Sequence, residues 1–189
     1  MKNLGTQTIE TERLILRRIS GNDAENGFKN WTSDPNVTTY LRWKPHESVE
    51  YTRGVFERWA GFYDDPAYYQ WTVELKEIGQ PIGTFTGFDV DENVEKVQIG
   101  YCIGSKWWRR GIATEALNAL LDFFFNKVGV NRVEARHDTN NPNSGKVMKK
   151  CGMKYEGTYR QAYINNTGLV DVSMYSILAK EYFDKSLQW

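Results

Sequence analysis

The sequence predicts a mixed α/β fold in which a largely antiparallel sheet carries helices on both faces. Three observations lead to this prediction. Residues 97–103 alternate as a strand does, residues 113–124 carry one apolar stripe at helical spacing, and strand patterns precede a strand–helix–strand–helix–hairpin order. No linker, repeat or low-complexity stretch interrupts the 189 residues, so we expect a single domain over residues 1–189.

The first half of the chain is predicted to form one strand, several helices and an antiparallel pair of strands. Asp34 before Pro35 is typical of a helix start, and the run from Asp64 to Pro66 ends the helix that precedes it. The predicted elements are a strand at 11–19, a helix at 24–31, a short helix near Pro35, an amphipathic helix at 47–63, and strands at 69–75 and 81–90.

The second half is predicted to alternate strands and helices before a final hairpin. Gly129 and Gly152 are typical helix terminators, and Asn-Asn-Thr-Gly at 165–168 is a left-handed-turn sequence. The predicted elements are a strand at 97–103, a helix at 111–127, a strand at 132–137, a helix at 141–151, and strands at 153–163 and 169–178.

A short basic turn, which contains Arg109, Arg110 and Gly111, joins the strand at 97–103 to the following helix. The first turn of a helix has four unpaired N–H groups and about half a unit of positive charge, and glycine lets a ligand approach the backbone closely. The turn lacks the lysine of a Walker loop and the glycine pattern of a Rossmann fingerprint. It predicts either a pyrophosphate-binding turn of another kind or an ordinary solvated turn.

Residues 109–113, Arg-Arg-Gly-Ile-Ala, resemble the last five positions of the Q/R-x-x-G-x-G/A signature of the GNAT superfamily of acyl-CoA N-acyltransferases. Trp108 stands where that signature usually has Gln or Arg. A Trp there, followed by Ala-Thr-Glu-Ala at 113–116, resembles the RimJ/RimL-type branch of ribosomal-protein N-terminal acetyltransferases. Thr-Glu-Arg-Leu-Ile-Leu-Arg at 11–17 and Trp-Thr-Ser-Asp-Pro at 31–35, followed by Tyr40 and Leu41, are similar to blocks of the same branch.

The resemblance implies a seven-stranded sheet whose central strands, ending at Ile103 and His137, diverge. It implies acetyl-CoA as co-substrate, with the pantetheine arm in the gap and a backbone N–H near Ile103 against the thioester oxygen. From the residues alone, a fully paired strand at 101–103 stays an alternative. The residues implied to contact the coenzyme are Tyr101, Cys102, Ile103, Arg109, Arg110, Gly111, Ile112, Ala113, Thr114, Asn141 and Ser144.

The start of the helix at 141–151 matches the family's N-x-x-S/A pattern. Asn141 before Pro142 is a good N-cap, with coenzyme contact as an additional role, and Ser144 is implied to hydrogen-bond the coenzyme sulfur or a relaying water. Many family members have a tyrosine four residues after the serine, where it protonates the thiolate. Here that residue is Met148, which has no proton to donate, so the identity of the acid stays open.

Three carboxylates are candidates for the general base. Glu134 matches a position where some relatives carry the base, although an ion pair with Arg132 or Arg136 explains it equally well. Glu95 lies near Gln98, where relatives often have glutamate. Asp171 matches an acidic position that either orients the amine or anchors the hairpin.

A site without a dedicated base suits an acceptor that arrives neutral. An α-amine with a pKa near 8 is about a tenth neutral at pH 7, whereas a lysine amine is well below a hundredth. Aromatic residues are dense between Trp31 and Trp71, where most are expected to pack the core and some to line an acceptor pocket.

Composition excludes several classes of protein. The chain has 24 Lys plus Arg and 24 Asp plus Glu, and this zero net charge gives no reason to expect nucleic-acid binding. Cys102 and Cys151 lack metal-ligand spacing, so we expect no metal site and two buried thiols. His46 and His137 have no partner motif and are interpreted as surface or loop residues. With no signal peptide or membrane-length apolar run, we expect a cytoplasmic protein that does not bind membranes.

The leading hypothesis is an N-acetyltransferase that moves an acetyl group from acetyl-CoA to a primary amine by direct attack in a ternary complex. The acceptor is predicted to be a protein or peptide N-terminal α-amine or a small amine, and the enzyme a monomer or homodimer. Two alternatives stay open. One is antibiotic or polyamine acetylation, which favours an acidic acceptor pocket, and the other is a non-catalytic acyl-CoA-binding module.

Overall fold

The structure is a computed structural model that describes residues 1–186 and contains one mixed sheet. The strands are β1 (Ile9–Glu10), β2 (Leu14–Arg17), β3 (Tyr69–Leu75), β4 (Gln80–Asp91), β5 (Lys96–Ile103), β6 (Arg132–Asp138), β7 (Lys154–Asn165) and β8 (Gly168–Leu178). The α-helices are α1 (Ala24–Gly27), α2 (Pro35–Thr38), α3 (Val49–Ala60), α4 (Ile112–Asp122), α5 (Pro142–Lys150) and α6 (Ala179–Ser186). Single π-helical turns extend α1 over Phe28–Thr32 and α4 over Phe123–Val128.

The order of strands across the sheet is β1-β2-β3-β4-β5-β6-β8-β7. Neighbouring strands are antiparallel except for β5 and β6, which are parallel. Pairing between β5 and β6 starts at Lys96 and Arg132 and stops at Ile99 and Ala135, although both strands continue beyond that point. The structure confirms a mixed, largely antiparallel sheet with two diverging central strands.

The sequence predicted seven strands, whereas the sheet has eight. The additional strand, β1, has two residues and pairs Ile9 with Leu16, so it is too short to show an alternating pattern. The predicted strand at 11–19 is shorter than expected because its first residues form a turn, in which the Thr11 amide donates to the Leu14 carbonyl. α6 was not predicted either.

Helices cover both faces of the sheet. On one face, α4 buries Leu117 and Leu120, and its π turn packs Phe124 against Tyr69 with ring centroids 5.1 Å apart. This face also carries α5, and α6 packs on Phe125. On the other face, α1 to α3 form a smaller core in which Trp31 stacks on Phe56 at 5.7 Å. No helix within residues 1–186 is both long and apolar enough to span a membrane.

Gly104 is the point where the end of β5 meets the helical layer of α1 to α3. A Cβ atom at this position would lie 2.2 Å from the Asn30 carbonyl oxygen in the π turn after α1 and 2.8 Å from the Trp107 ring. Only glycine allows this approach. The contact fixes the helical layer against the strand that leads into the basic turn.

We predict that Gly104→Ala lowers the free energy of unfolding by about 1–3 kcal/mol, because a methyl group must displace the Asn30 backbone and the buried Trp107 ring. The measurement is chemical denaturation monitored by circular dichroism. Gly54→Ala is the matched control, since a Cβ atom there meets nothing within 4 Å and alanine favours the helix interior. Equal stability of the two variants would contradict the close contact.

His46 lies in a loop, as predicted, but it is buried rather than on the surface. Its exposed fraction is 9%, its Nδ1 lies 2.8 Å from the Thr52 hydroxyl, and the rings of Trp43 and Tyr51 contact it. Burial lowers the pKa of the His46 imidazole below its ordinary value of 6.5. The folded protein therefore favours the neutral ring.

This shift makes stability depend on pH. The unfolded chain binds a proton at His46 more readily than the folded protein does. The free energy of unfolding therefore keeps its full value above about pH 6.5 and decreases as the pH falls from there toward the folded-state pKa of His46. We predict that His46→Gln, which keeps a polar partner for Thr52 but does not titrate, loses less melting temperature than the parent protein between about pH 7.5 and 5.5. Parallel losses in both proteins would show that His46 is not responsible.

Candidate active site

The basic turn after β5 leaves a run of backbone amides unpaired. The amide of Trp108 donates to Ser105, and the next amide with an acceptor is that of Glu115, which donates to the Gly111 carbonyl at 3.0 Å. Among the described residues, no protein group accepts a hydrogen bond from the amides of residues 109 to 114. These six groups, at the positive end of α4, have the chemistry of an anion site.

The shape of the turn depends on two left-handed residues. Gly111, the N-cap of α4, has φ = +77°, and Arg109 has φ = +61°. A Cβ atom at Gly111 would lie 3.4 Å from the Arg13 guanidinium and would be strained at this positive φ. Glycine thus keeps both the conformation and the open approach to the backbone.

Residues of the N-terminal segment hold this turn in place. Glu115, in the first turn of α4, accepts hydrogen bonds from the Thr11 hydroxyl at 2.6 Å and from Arg13 Nε at 2.6 Å. Arg13 Nη1 also donates to the Arg110 carbonyl at 2.9 Å. Partial burial alone would raise the pKa of Glu115, but these hydrogen bonds lower it, so the carboxylate stays charged opposite Arg13. The sequence pointed to the 11–17 block without showing this anchoring role.

The gap between β5 and β6 exposes backbone groups of β5. The Gly104 amide donates to the Ile82 carbonyl in β4, so the alternation of an antiparallel ladder turns the backbone groups of Ile103 and Tyr101 toward β6. There they lie beyond the last paired residue, Ile99. The Trp108 indole N–H, which sequence reasoning missed, donates to the Ile103 carbonyl at 2.7 Å. The N–H of Ile103 is left facing the gap.

The start of α5 lies across this gap. Asn141 occupies the N-cap, as predicted, but its side chain makes no capping hydrogen bond, so the amide is available to a ligand. The Tyr101 hydroxyl lies 2.9 Å from Ser144 Oγ and 3.0 Å from the Ser144 carbonyl. The sequence predicted only a backbone role for Tyr101. Its phenol lies on the same face of the strand as the apolar residues at 99 and 103, a pattern that indicates a core side chain.

Burial governs the protonation of Tyr101. Removal from water raises the pKa of its phenol well above 10, although the hydrogen bond with Ser144 acts in the opposite direction. The phenol is therefore neutral and keeps a proton next to Ser144. Met148, which replaces the family's tyrosine, is buried in the core beneath α5 with 1% of its surface exposed.

The three candidate bases are engaged elsewhere. Glu134 forms ion pairs with Arg132 at 2.7 Å and Lys96 at 3.5 Å, which agrees with the ion-pair interpretation. Glu95 precedes β5 at the end opposite Ile103 and pairs with the amino group of Met1. Asp171 accepts a hydrogen bond from the Gln161 amide, at 2.8 Å, where β7 is irregular. A catalytic role for Glu134 or Asp171 stays a prediction.

A cavity of about 130 Å³ opens on the opposite face of β5, under the helical layer of α1 to α3. Its lining residues are Leu41, Trp43, Trp59, Thr84, Thr86, Gly100, Tyr101 and Cys102. The lining combines an aromatic roof with a floor of threonines and contains no carboxylate. Cys102 is partly buried there, and burial raises the pKa of its thiol despite a contact with the Thr84 hydroxyl at 3.4 Å.

His137 and Cys151 are both packed inside the fold. His137 packs against α5, where a Cβ atom at Gly145 would lie 2.5 Å from its Nε2, and its Nδ1 lies 2.7 Å from the Asp138 carbonyl. It is therefore less exposed than the surface interpretation implied. Cys151 is buried, as expected, and burial raises the pKa of its thiol to about 12. Within residues 1–186, no three His, Cys, Asp or Glu side chains are arranged to hold a metal ion.

Comparison with known proteins identifies the family. Residues 13–154 match the family described as "Acetyltransferase (GNAT) domain". The chain is 32% identical over 177 residues to the uncharacterized N-acetyltransferase p20 of Bacillus licheniformis, a match that covers 93% of this chain and 98% of that protein. It also resembles the crystal structure of a GNAT-family acetyltransferase from Bacillus anthracis, with a TM-score of 0.81 and 26% identity over 93% of this chain and 100% of that one.

The fold is similar to that of a protein solved with its ligands. The microcin C7 self-immunity acetyltransferase MccE, crystallised with acetyl-CoA and AMP, superposes with a TM-score of 0.81 and 19% identity over 89% of this chain and 93% of that one. At this identity the likeness concerns the fold.

We predict that acetyl-CoA at 100 times its dissociation constant stabilises the protein by about 2.7 kcal/mol, or about 5–10 °C in melting temperature. Gly111→Asp should abolish this shift, because a carboxylate would then stand beside the free amides. Gly129→Asp is the control, since Gly129 has φ = +74° at the other end of the same helical segment and no neighbour within 4 Å. A normal ligand-induced shift in Gly111→Asp would remove the turn from the coenzyme site.

Proposed function

We propose, from the premise that this chain belongs to the GNAT family and is an acetyl-CoA-dependent N-acetyltransferase, that it transfers the acetyl group directly to a primary amine. The proposed acceptor is a protein or peptide N-terminal α-amine or a small amine, and the proposed branch of the family is the RimJ/RimL type. The observation that carries the proposal is the run of free amides at 109–114, which follows β5 directly beyond the point where its pairing with β6 ends. Bound acetyl-CoA supplies the thioester that the amine attacks.

The residues of the chain fit the parts of that ligand. The amides of the turn, with Arg109 and Arg110 beside them, suit a diphosphate, and the unused side-chain amide of Asn141 offers a further polar contact. The Ile103 N–H suits the thioester oxygen, where a donor stabilises developing negative charge. Trp108 supports this donor by holding the carbonyl of the same residue. The anchoring of Glu115 by Thr11 and Arg13 supports assignment to the branch whose 11–17 block the chain shares.

We assign the hydrogen bond to the departing sulfur to Ser144, with Tyr101 as its positioning partner. Met148 is buried and has no acidic proton to donate, whereas the neutral phenol of Tyr101 is 2.9 Å from Ser144 Oγ. If the phenol donates to the Ser144 carbonyl, the serine hydroxyl is free to turn its own proton toward the gap. Ser144 and Tyr101 together therefore supply the hydrogen bond to the sulfur that a tyrosine at position 148 of α5 would supply.

Direct transfer is favoured over an acyl-enzyme. Cys102 is the cysteine that lines the acceptor cavity, and burial keeps its thiol protonated and weakly nucleophilic. Because Glu134 and Asp171 are already paired, the amine is expected to bind in its neutral form or to lose its proton to water, which favours α-amines over lysine amines. The carboxylate-free cavity argues against the polyamine alternative.

The proposal predicts that the protein releases free CoA from acetyl-CoA when an acceptor amine is present, which a non-catalytic binding module does not do. Ser144→Ala and Tyr101→Phe should each lower kcat by about 10- to 100-fold with little change in the KM for acetyl-CoA. Thiol release over a panel of amines and N-terminal peptides is the measurement.

Tyr159→Phe is the control, because this tyrosine of β7 is 58% exposed and its loss should leave kcat unchanged. If Ser144→Ala turns over at the parental rate, Ser144 takes no part in catalysis and is only a structural residue at the start of α5. If Tyr101→Phe alone is unaffected, the serine acts without its partner.

A further inference from the structure

Two arginines stack on one tyrosine beside the acceptor cavity. The guanidinium carbon of Arg42 lies 4.3 Å from the ring centroid of Tyr163, and that of Arg136 lies 4.6 Å from the same centroid. Arg136 also lies 6.0 Å from the Phe88 ring. Aromatic faces hold planar guanidinium groups without using their N–H donors.

Neither guanidinium has an acid to neutralise it. Within the part of the chain that the structure describes, no carboxylate pairs with Arg42 or Arg136, and no protein group accepts a hydrogen bond from either side chain. The acids on the same strand have other partners, since Glu134 pairs with Arg132 and Lys96, and Asp138 accepts from Asn165 at 2.7 Å. Two permanent positive charges are thus oriented but unpaired.

The two arginines flank the cavity without lining it, Arg136 on the sheet beside its floor and Arg42 in the loop that contributes to its roof. Because Ala135 pairs with Ile99, alternation along β6 puts Arg136 on the same face of the sheet that Gly100 presents to the cavity. A Cβ atom at Gly100 would lie 3.1 Å from the Phe88 ring that Arg136 contacts. Arg42 stands between the lining residues at 41 and 43.

The tip of the β7–β8 hairpin fixes the loop that carries Arg42. The Asn166 side chain donates to the Thr38 carbonyl at 2.9 Å and to the Trp43 carbonyl at 2.8 Å, and the Asn166 amide donates to the Leu41 carbonyl at 3.0 Å. Since Tyr163 belongs to the same hairpin, one element sets the positions of both arginines. The arrangement is preorganised rather than a chance meeting of surface charges.

We propose that Arg42 and Arg136 bind an anionic group of the acceptor, so that the enzyme prefers primary amines that carry a carboxylate or phosphate a few atoms from the reacting nitrogen. This inference rests on the proposed function and names the acceptor class of that same site. A planar guanidinium pairs with either anion through two parallel hydrogen bonds, which selects against the neutral analogue whose polar group leaves those donors unpaired. A polycationic amine is repelled from the same place.

The test compares acceptors that differ only in the anion. L-Alanyl-L-alanine is paired with L-alanyl-L-alaninamide, and phosphoethanolamine with ethanolamine, so that the two pairs distinguish a carboxylate from a phosphate. We expect kcat/KM to favour the anionic member of at least one pair by about 10- to 100-fold in the parent protein. Equal kcat/KM values within both pairs would overturn the inference.

The preference should depend on the arginines. Arg136→Met and Arg42→Met should each reduce it at least tenfold, mainly through KM, while Arg136→Lys should retain part of it by keeping the charge. Arg58→Met is the matched control, because it removes one positive charge from an exposed position of α3 and should leave the preference intact. If Arg136→Met fails to fold, Arg42→Met decides, since Arg42 is exposed. An unchanged preference in Arg42→Met and in any folded Arg136 variant would overturn the assignment.

Calorimetric titration of each acceptor into protein saturated with CoA separates this inference from the proposed function. Tighter binding of the anionic acceptors that is lost in Arg42→Met supports the arginine site. If these acceptors bind in this way but none is acetylated, the proposed catalytic function is wrong and the arginine site remains supported. Turnover of neutral and anionic amines at equal rates supports catalysis and removes the arginine site.

Discussion

The site depends on the end of hydrogen bonding between β5 and β6 after Ile99 and Ala135. Up to that pair the sheet is continuous, and beyond it the backbone groups of β5 that face β6 have no strand to pair with. Buried backbone groups need partners, so in a gap of this kind a ligand, water or another part of the chain must supply them. Trp108 satisfies one carbonyl at the edge of the gap and leaves the adjacent N–H available.

The two layers of helices have different tasks around this gap. α4 and α5 bring the free amides, Asn141 and Ser144 to one side, and the apolar stripe of α4 buries enough surface to keep them in place. The layer of α1 to α3 covers the other side with the aromatic roof of the cavity. The contact of Gly104 with Asn30 joins that roof to β5, so the same strand positions the groups that we assign to the coenzyme and those that we assign to the acceptor.

Local patterns predicted most of the fold because each strong element has a local physical cause. β3 begins and ends at the predicted residues, and the helix start at Asp34-Pro35 forms with the Asp34 side chain accepting from the Asn36 amide. β1 and α6 were not predicted. For β1 the reason is that a two-residue strand shows no alternating pattern and depends wholly on its neighbour β2. The π turns after α1 and α4 were predicted only as continuations of these helices, because the sequence pattern does not distinguish a π turn from an α-helical turn.

In the candidate site, the free backbone groups were predictable from the sequence, and the side chains that meet across the fold were much less so. The free amides follow from a glycine at a helix start, which a sequence shows directly. The pairing of Tyr101 with Ser144, separated by 43 residues, and the stacking of Arg42 and Arg136 on Tyr163 depend on which elements become neighbours. The engagement of Glu134 by two cations is of the same kind.

The anchoring of the basic turn has a consequence for the order in which the molecule is completed. Arg13 and Glu115 are 102 residues apart, so the turn takes its final shape only after a very long loop has closed. Contacts of such high sequence separation form slowly compared with hairpins and single helices. We therefore expect the corner that we assign to phosphate binding to mature after the local elements, and a coenzyme molecule bound there would select chains whose two halves have already joined.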